Sequence, residues 1–211
     1  MVVVVAAALL FAAIATGIAR NDRMTALDAA IAAWLHAHAT PALVTAMLVW
    51  TQLHSTVAVG GYAAVAALVL AVDRKWRQAV LVVVAVGGGL ALNAALKLAF
   101  HRGRPTFDDP LLTLATYSFP SGHVAGSTIA YGLVVAAVFA RTSEPTRRAL
   151  AVVGAALAIA LVGFSRMLLG VHYLSDVVAA FAEGIAWLAL SALAIAAFWR
   201  EVPRRRGAEP A

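Results

Sequence analysis

The sequence predicts an all-α fold, a polytopic membrane bundle of six transmembrane helices plus short interfacial helices. Three observations predict it. Of 211 residues, 63% are hydrophobic and 12% charged, where a soluble domain is about half apolar and a quarter charged. The apolar residues are gathered into uncharged runs close to the roughly 20 residues a bilayer core demands. The basic residues fall at the ends of those runs, which topology charge explains better than a nucleic-acid patch, despite the net charge of +6. No nucleic-acid partner is expected. The chain has no cysteine, which excludes disulfides and thiolate metal sites.

Residues 1–19 are the first span. A secretory signal opens with a basic stretch; MVVVVAAALLFAAIATGIA has none, so an anchor is expected. The stretch 24–53 differs. Thr40 and Pro41 make an N-cap and a first helical position, but the apolar run of about ten residues is too short to cross. Trp34 and Trp50 suit the interface, and one or two helices are expected at the surface or dipping in. The remaining spans are 55–72, 78–100, 123–140, 149–164 and 176–199, ended in turn by DRKWR, KLAFHRGRP, RTSEPTRR, SR and REVPRRR. The whole chain, 1–211, reads as one domain with a basic tail from 200.

Orientation follows from Lys and Arg. One side holds ten, in 73–77, 141–148 and the tail; the other holds six, namely Arg20, Arg23, Lys97, Arg102, Arg104 and Arg166. The positive-inside rule then puts both termini in the cytoplasm. Arg20 and Arg23, following the first span outside, oppose this locally.

Lys97, Arg104 and Arg166 therefore lie on the outer rim, where that rule disfavours cations. Each has a plain structural reading. Lys97 can snorkel, Arg104 can be a loop arginine, and Arg166 can cap the carbonyls ending the fifth span. Three together call for an anion, because arginine forks and a lysine point charge suit phosphate oxygens. The fourth span opens on the same rim with Pro120, Ser121, Gly122 and His123. A helix start presents free N–H groups to an anion. Ser121 adds a hydroxyl and Gly122 permits close backbone approach, although a Ser-capped helix alone needs no ligand.

His172 and Asp176 are four apart and share a face if helical, though a helix start at Ser175 would bend that picture. A carboxylate accepting one imidazole N–H bares the other nitrogen, giving a nucleophile or base. His123 is then free to donate a proton. Two histidines beside three cations form the equipment of phosphoryl transfer.

Lys97-x6-Arg104-Pro105, Pro120-Ser121-Gly122-His123 and Ser165-Arg166-x5-His172-x3-Asp176 resemble the three-part signature of the type-2 phosphatidic acid phosphatase superfamily. That superfamily includes membrane lipid phosphatases and, distantly, vanadium haloperoxidases. Every signature position matches, from 97 to 176. The resemblance implies a lipid phosphatase in which His172 forms a phosphohistidine, Asp176 orients it and His123 protonates the leaving oxygen. It implies that Lys97, Arg104, Ser121, Gly122 and Arg166 hold phosphate, with no metal and no other cofactor. Asp108 and Asp109 are read as loop acids.

The substrate expected is a membrane lipid phosphate: undecaprenyl pyrophosphate, phosphatidic acid or phosphatidylglycerol phosphate. The outer face and the short 106–119 loop favour the prenyl class. A non-catalytic carrier of anions or lipid phosphates could use the same cations, but would gain little from the histidines. A haloperoxidase would not need the spans. Oligomeric state is left open. Of the residues outside the signature, Glu183 is costly in mid-span and is paired with a polar group such as Asn93. Gly87, Gly88 and Gly89 read as a helix-packing face. His36, His38, His54 and His101 read as interfacial or loop side chains, and Arg102 stands beside the clamp, where it could assist.

Overall fold

The structure, a computed structural model, describes residues 1–206. It comprises eight helices: α1 (Val2–Ala19), α2 (Arg23–Ala37), α3 (Pro41–Leu53), α4 (Thr56–Val72), α5 (Trp76–Phe100), α6 (Gly122–Arg141), α7 (Pro145–Leu168) and α8 (Leu174–Arg206). Six helical segments are long and apolar enough to cross a membrane: α1, α3 with α4, α5, α6, α7, and α8 as far as Arg200. The expected six-span architecture is thus present, except that α3, expected at the surface, joins α4 in one of these segments. The basic tail continues α8 to Arg206, and residues 207–211 lie outside the described residues.

Local chemistry sets the helix starts. Asp22 accepts from Met24 N at 2.8 Å to cap α2, and Ser55 accepts from Ala58 N at 3.1 Å to cap α4. Thr40 caps α3, with Pro41 at its first position, as the sequence leads one to expect. The fifth span is longer than its apolar stretch of 149–164. Glu144 accepts from Thr146 N and Arg147 N ahead of Pro145, and Ser165 and Arg166 remain helical, because polar residues end a hydropathy run without ending a helix.

The core lies along α8, which packs against α1, α5 and α6, while α6 also lies against α7. The three mid-span glycines split in role. A Cβ on Gly88 or Gly89 would collide with Trp187, and one on Gly89 with Ile129 too, whereas Gly87 faces open space. Two of the three therefore admit the indole, whose Nε1 donates to Ala85 O at 2.9 Å. Aromatic contacts bind α1 to the head of the bundle, where Phe11 meets both Phe100 and Phe119. By this chain path the end of α5, the start of α6, the end of α7 and the start of α8 share one end of the molecule, and the polar cluster forms there.

Candidate active site

Asp176 lies in the first turn of α8, where a helix favours negative charge. It is buried and heavily engaged. Oδ1 accepts from Arg102 Nη1 at 2.6 Å. Oδ2 accepts from Tyr173 N at 2.9 Å, from His172 Nδ1 at 3.3 Å and from the hydroxyl of Ser118. His172 precedes α8, so the pair does not share a helical face as the spacing suggested. The carboxylate reaches back over the turn Gly170–Tyr173 instead. Gly170 holds a left-handed φ of +68°, and a Cβ there would also press on the ring of Phe107 at 3.0 Å.

The imidazole is 2% exposed. With Nδ1–H directed to Asp176, Nε2 is the acceptor, and Arg104 Nη1 approaches it at 3.3 Å. Burial pushes the His172 pKa down to about 3 against the pull of Asp176, and the charges of Arg104 and Arg166 add to the lowering. The ring is neutral near pH 7, with a bare nitrogen facing a guanidinium.

The cations divide their donors between the fold and the centre. Lys97 Nζ donates to Tyr117 O at 2.8 Å and Ser118 O at 3.2 Å. Arg104 donates to Thr116 O at 2.7 Å, to the Thr116 hydroxyl and to Tyr117 O, and so fastens the 116–118 loop above the histidine. Arg166 is buried and donates from Nη1 to Thr51 Oγ1 at 2.8 Å. That contact, with a residue of another helix, replaces the helix-capping alternative.

At the start of α6, Ser121 occupies the N-cap position but its side chain caps nothing. Its backbone N donates to Asp176 O at 3.2 Å. Among the described residues, the buried Ser121 Oγ and Arg166 Nε have no hydrogen-bond partner. Two unpartnered buried donors and a helix start are features an oxyanion site requires. His123, half-buried, lies within electrostatic reach of Lys97, Arg104, Arg166 and His172. Gly122 serves packing: a Cβ would come within 3.0 Å of Asn93 Oδ1 and 3.3 Å of Thr56 Cγ2.

Sequence reasoning missed Ser118, Thr51, Asp28 and Ser175. Arg102, read as an aid to the clamp, instead serves the carboxylates. It donates to Asp176, to Asp28 at 2.8 Å and to the Ser175 hydroxyl at 2.7 Å. Burial opposes its charge, but Asp176 and Asp28 outweigh that and raise its pKa. His54, in the turn between α3 and α4, is buried, with its ring bonded to Trp50 O and to Tyr131 Oη at 2.8 Å. Asp109 is held by His36 at 2.9 Å.

Comparison with known proteins establishes the family. A sequence profile of the PAP2 superfamily matches residues 78–200, more than half of the chain. The chain belongs to the PAP2 superfamily. Phosphatidylglycerophosphatase B of Bacillus subtilis (strain 168) is 33% identical to this PAP2 protein over 116 residues, 53% of this chain and 55% of the relative. The match thus spans about half the length of that relative. The crystal structure of a transmembrane PAP2-type phosphatidylglycerolphosphate phosphatase from Bacillus subtilis superimposes with a TM-score of 0.81 at 25% identity, covering 96% of this chain and 98% of the other. Aquifex aeolicus LpxE shares the fold, with a TM-score of 0.58 at 21% identity over 78% of this chain and 94% of its own.

Proposed function

We propose that this PAP2 protein is a lipid phosphate phosphohydrolase that works through a phosphohistidine, without a metal, at the outer membrane face. The observation that carries the reading is His172, held neutral with Nδ1–H on Asp176 and Nε2 turned towards Arg104 beside the free donors of Ser121 and Arg166. The Nε2 lone pair attacks phosphorus and the bond from phosphorus to the lipid oxygen breaks. His123, protonated against the negative charge of the bound phosphate, gives its proton to that oxygen. Asp176 offsets the positive ring of the phosphohistidine, while Lys97, Arg104, Arg166 and the α6 start hold the phosphoryl oxygens. Water then attacks phosphorus, His123 takes its proton, and the P–N electron pair returns to His172 as phosphate leaves.

The names of the relatives favour phosphatidylglycerol phosphate as substrate over the prenyl class favoured by the sequence. Phosphate release from phosphatidylglycerol phosphate, phosphatidic acid and undecaprenyl pyrophosphate in mixed micelles tests this ranking. In the same assay His172→Ala should lose at least about a hundredfold in turnover and still bind inorganic phosphate. Turnover near wild type in that variant would overturn the nucleophile, and binding without turnover in the wild type would leave a carrier. Activity that disappears with EDTA and returns with Mg²⁺ would overturn the metal-free reading.

A further inference from the structure

Helix α2 is outside the signature, yet it carries a carboxylate that is 2% exposed. A buried charge is costly unless it is paired and hydrogen-bonded, and Asp28 is both. Oδ2 accepts from Arg102 Nη2 at 2.8 Å and from the Ser175 hydroxyl, while Oδ1 accepts from Ser175 N at 3.0 Å. Its partners are the two residues that flank the orienting acid. Arg102 holds Asp176 Oδ1, and Ser175 precedes Asp176 in the chain. Tyr173 packs under the guanidinium at 4.4 Å and fixes its plane. The geometry points to Asp28 as a positioning residue for the nucleophile, acting through Arg102 and Ser175 on Asp176.

One guanidinium is shared between two carboxylates. Arg102 gives Nη2 to Asp28 and Nη1 to Asp176, so it touches only one oxygen of Asp176 and leaves Oδ2 to His172, Tyr173 N and the Ser118 hydroxyl. An arginine freed of Asp28 would close both arms on a single carboxylate, the geometry its fork prefers. Oδ2 would then be drawn from the imidazole, and Nδ1–H would lose its acceptor. Charge acts in the same direction. Asp28, Arg102 and Asp176 together carry one net negative charge beside a ring that becomes positive on phosphorylation. Without Asp28 the group is neutral and stabilises that ring less. The bond from Ser175 N to Asp28 Oδ1 separately fixes the start of α8, from which Asp176 reaches back.

The inference rests on the phosphohydrolase reading with His172 as nucleophile, and the test separates the two. The full-length protein, in mixed micelles with the lipid phosphate it turns over fastest, is compared with Asp28→Asn, Arg102→Gln and the double variant. Asp28→Asn should lower kcat about 10- to 100-fold, the range for outer partners that orient a catalytic group. KM and the Ki of inorganic phosphate should stay within about twofold, since Asp28 touches no phosphate ligand. The double variant should be no slower than Arg102→Gln, because Asn keeps an oxygen for Ser175 N and the contact it loses acts through that arginine. The double variant also leaves no unpaired buried charge on this pair, so it keeps the test open should Asp28→Asn fail to fold. Wild-type kcat in Asp28→Asn would overturn the proposal. So would a weaker phosphate Ki with kcat retained, or losses that multiply in the double variant; these outcomes would make Asp28 only an anchor for α2. If His172→Ala retains turnover, the nucleophile reading itself fails, whatever Asp28 does.

Discussion

Arg166 donates from Nη1 to Thr51 Oγ1 at 2.8 Å, joining the end of α7 to the last turn of α3. The bond immobilises one arm of a buried guanidinium and leaves its Nε without a protein partner. An arginine held in this way is preorganised for an oxyanion rather than rearranged by it.

Arg166→Ala should therefore lower kcat/KM by about 10²- to 10³-fold, the usual cost of one oxyanion donor. It should also remove inhibition by vanadate, which can mimic the trigonal-bipyramidal transition state. Thr51→Val should cost less, about fivefold, the worth of one hydrogen bond near 1 kcal/mol. Vanadate affinity unchanged in Arg166→Ala would make the arginine purely structural.

The contrast between Arg166 and Thr51 shows what was legible in the sequence. Lys97, Arg104, Arg166, Ser121, His172 and Asp176 were readable because charged and catalytic residue types are rare in an apolar chain and stand out at fixed spacing. Thr51 was not, since a threonine in a helix has no distinguishing pattern. Asp28 resembles the solvent-facing acid of an interfacial helix, and its partner Ser175 is 147 residues away. No local periodicity reports such a pairing. The 24–53 stretch was set apart as too short to cross, whereas α3 joins α4 in one segment long and apolar enough to span, and the buried Asp28, Thr51 and His54 come from this part of the chain. Hydropathy located the lipid-facing lengths and missed the polar ends that hold the site together.

The buried histidine links stability to pH. The His172 pKa falls from 6.5 to about 3 on burial, so between those values the unfolded chain binds the additional proton. Stability then rises with pH across that window and is lost as pH falls below about 6.5. Thermal unfolding of the wild type should drop further between pH 7.5 and 5 than that of His172→Asn. Equal drops would place the acid-sensitive group elsewhere.

The pair anticipated between α5 and α8 is present. Asn93 Nδ2 donates to Glu183 Oε2 at 2.9 Å, with both residues buried. Asn93→Leu would leave that carboxyl without its donor, at a cost of about 1–3 kcal/mol. Glu183→Gln keeps an acceptor for Asn93 and should be tolerated. Thermal unfolding in detergent distinguishes them, and a fully stable Asn93→Leu would show that the bond contributes nothing.

The side of the membrane is the prediction with the widest consequence. Ten basic residues fall on one side and six on the other. Three of those six, Lys97, Arg104 and Arg166, belong to the proposed phosphate site. A fourth, Arg102, is bound to Asp28 and Asp176, so it too has a reason to defy topology charge. Only Arg20 and Arg23 then oppose the ten, and removing the site cations should not invert the protein. The chain has no native cysteine, so a single introduced thiol reads out cleanly. Asp108→Cys should react with a membrane-impermeant thiol reagent on intact cells. Glu144→Cys should react only after the cells are opened. The reverse pattern would place His172 and its clamp at the cytoplasmic face, where the enzyme would meet inner-leaflet lipid phosphates, and would make Arg20 and Arg23 the residues that set the topology.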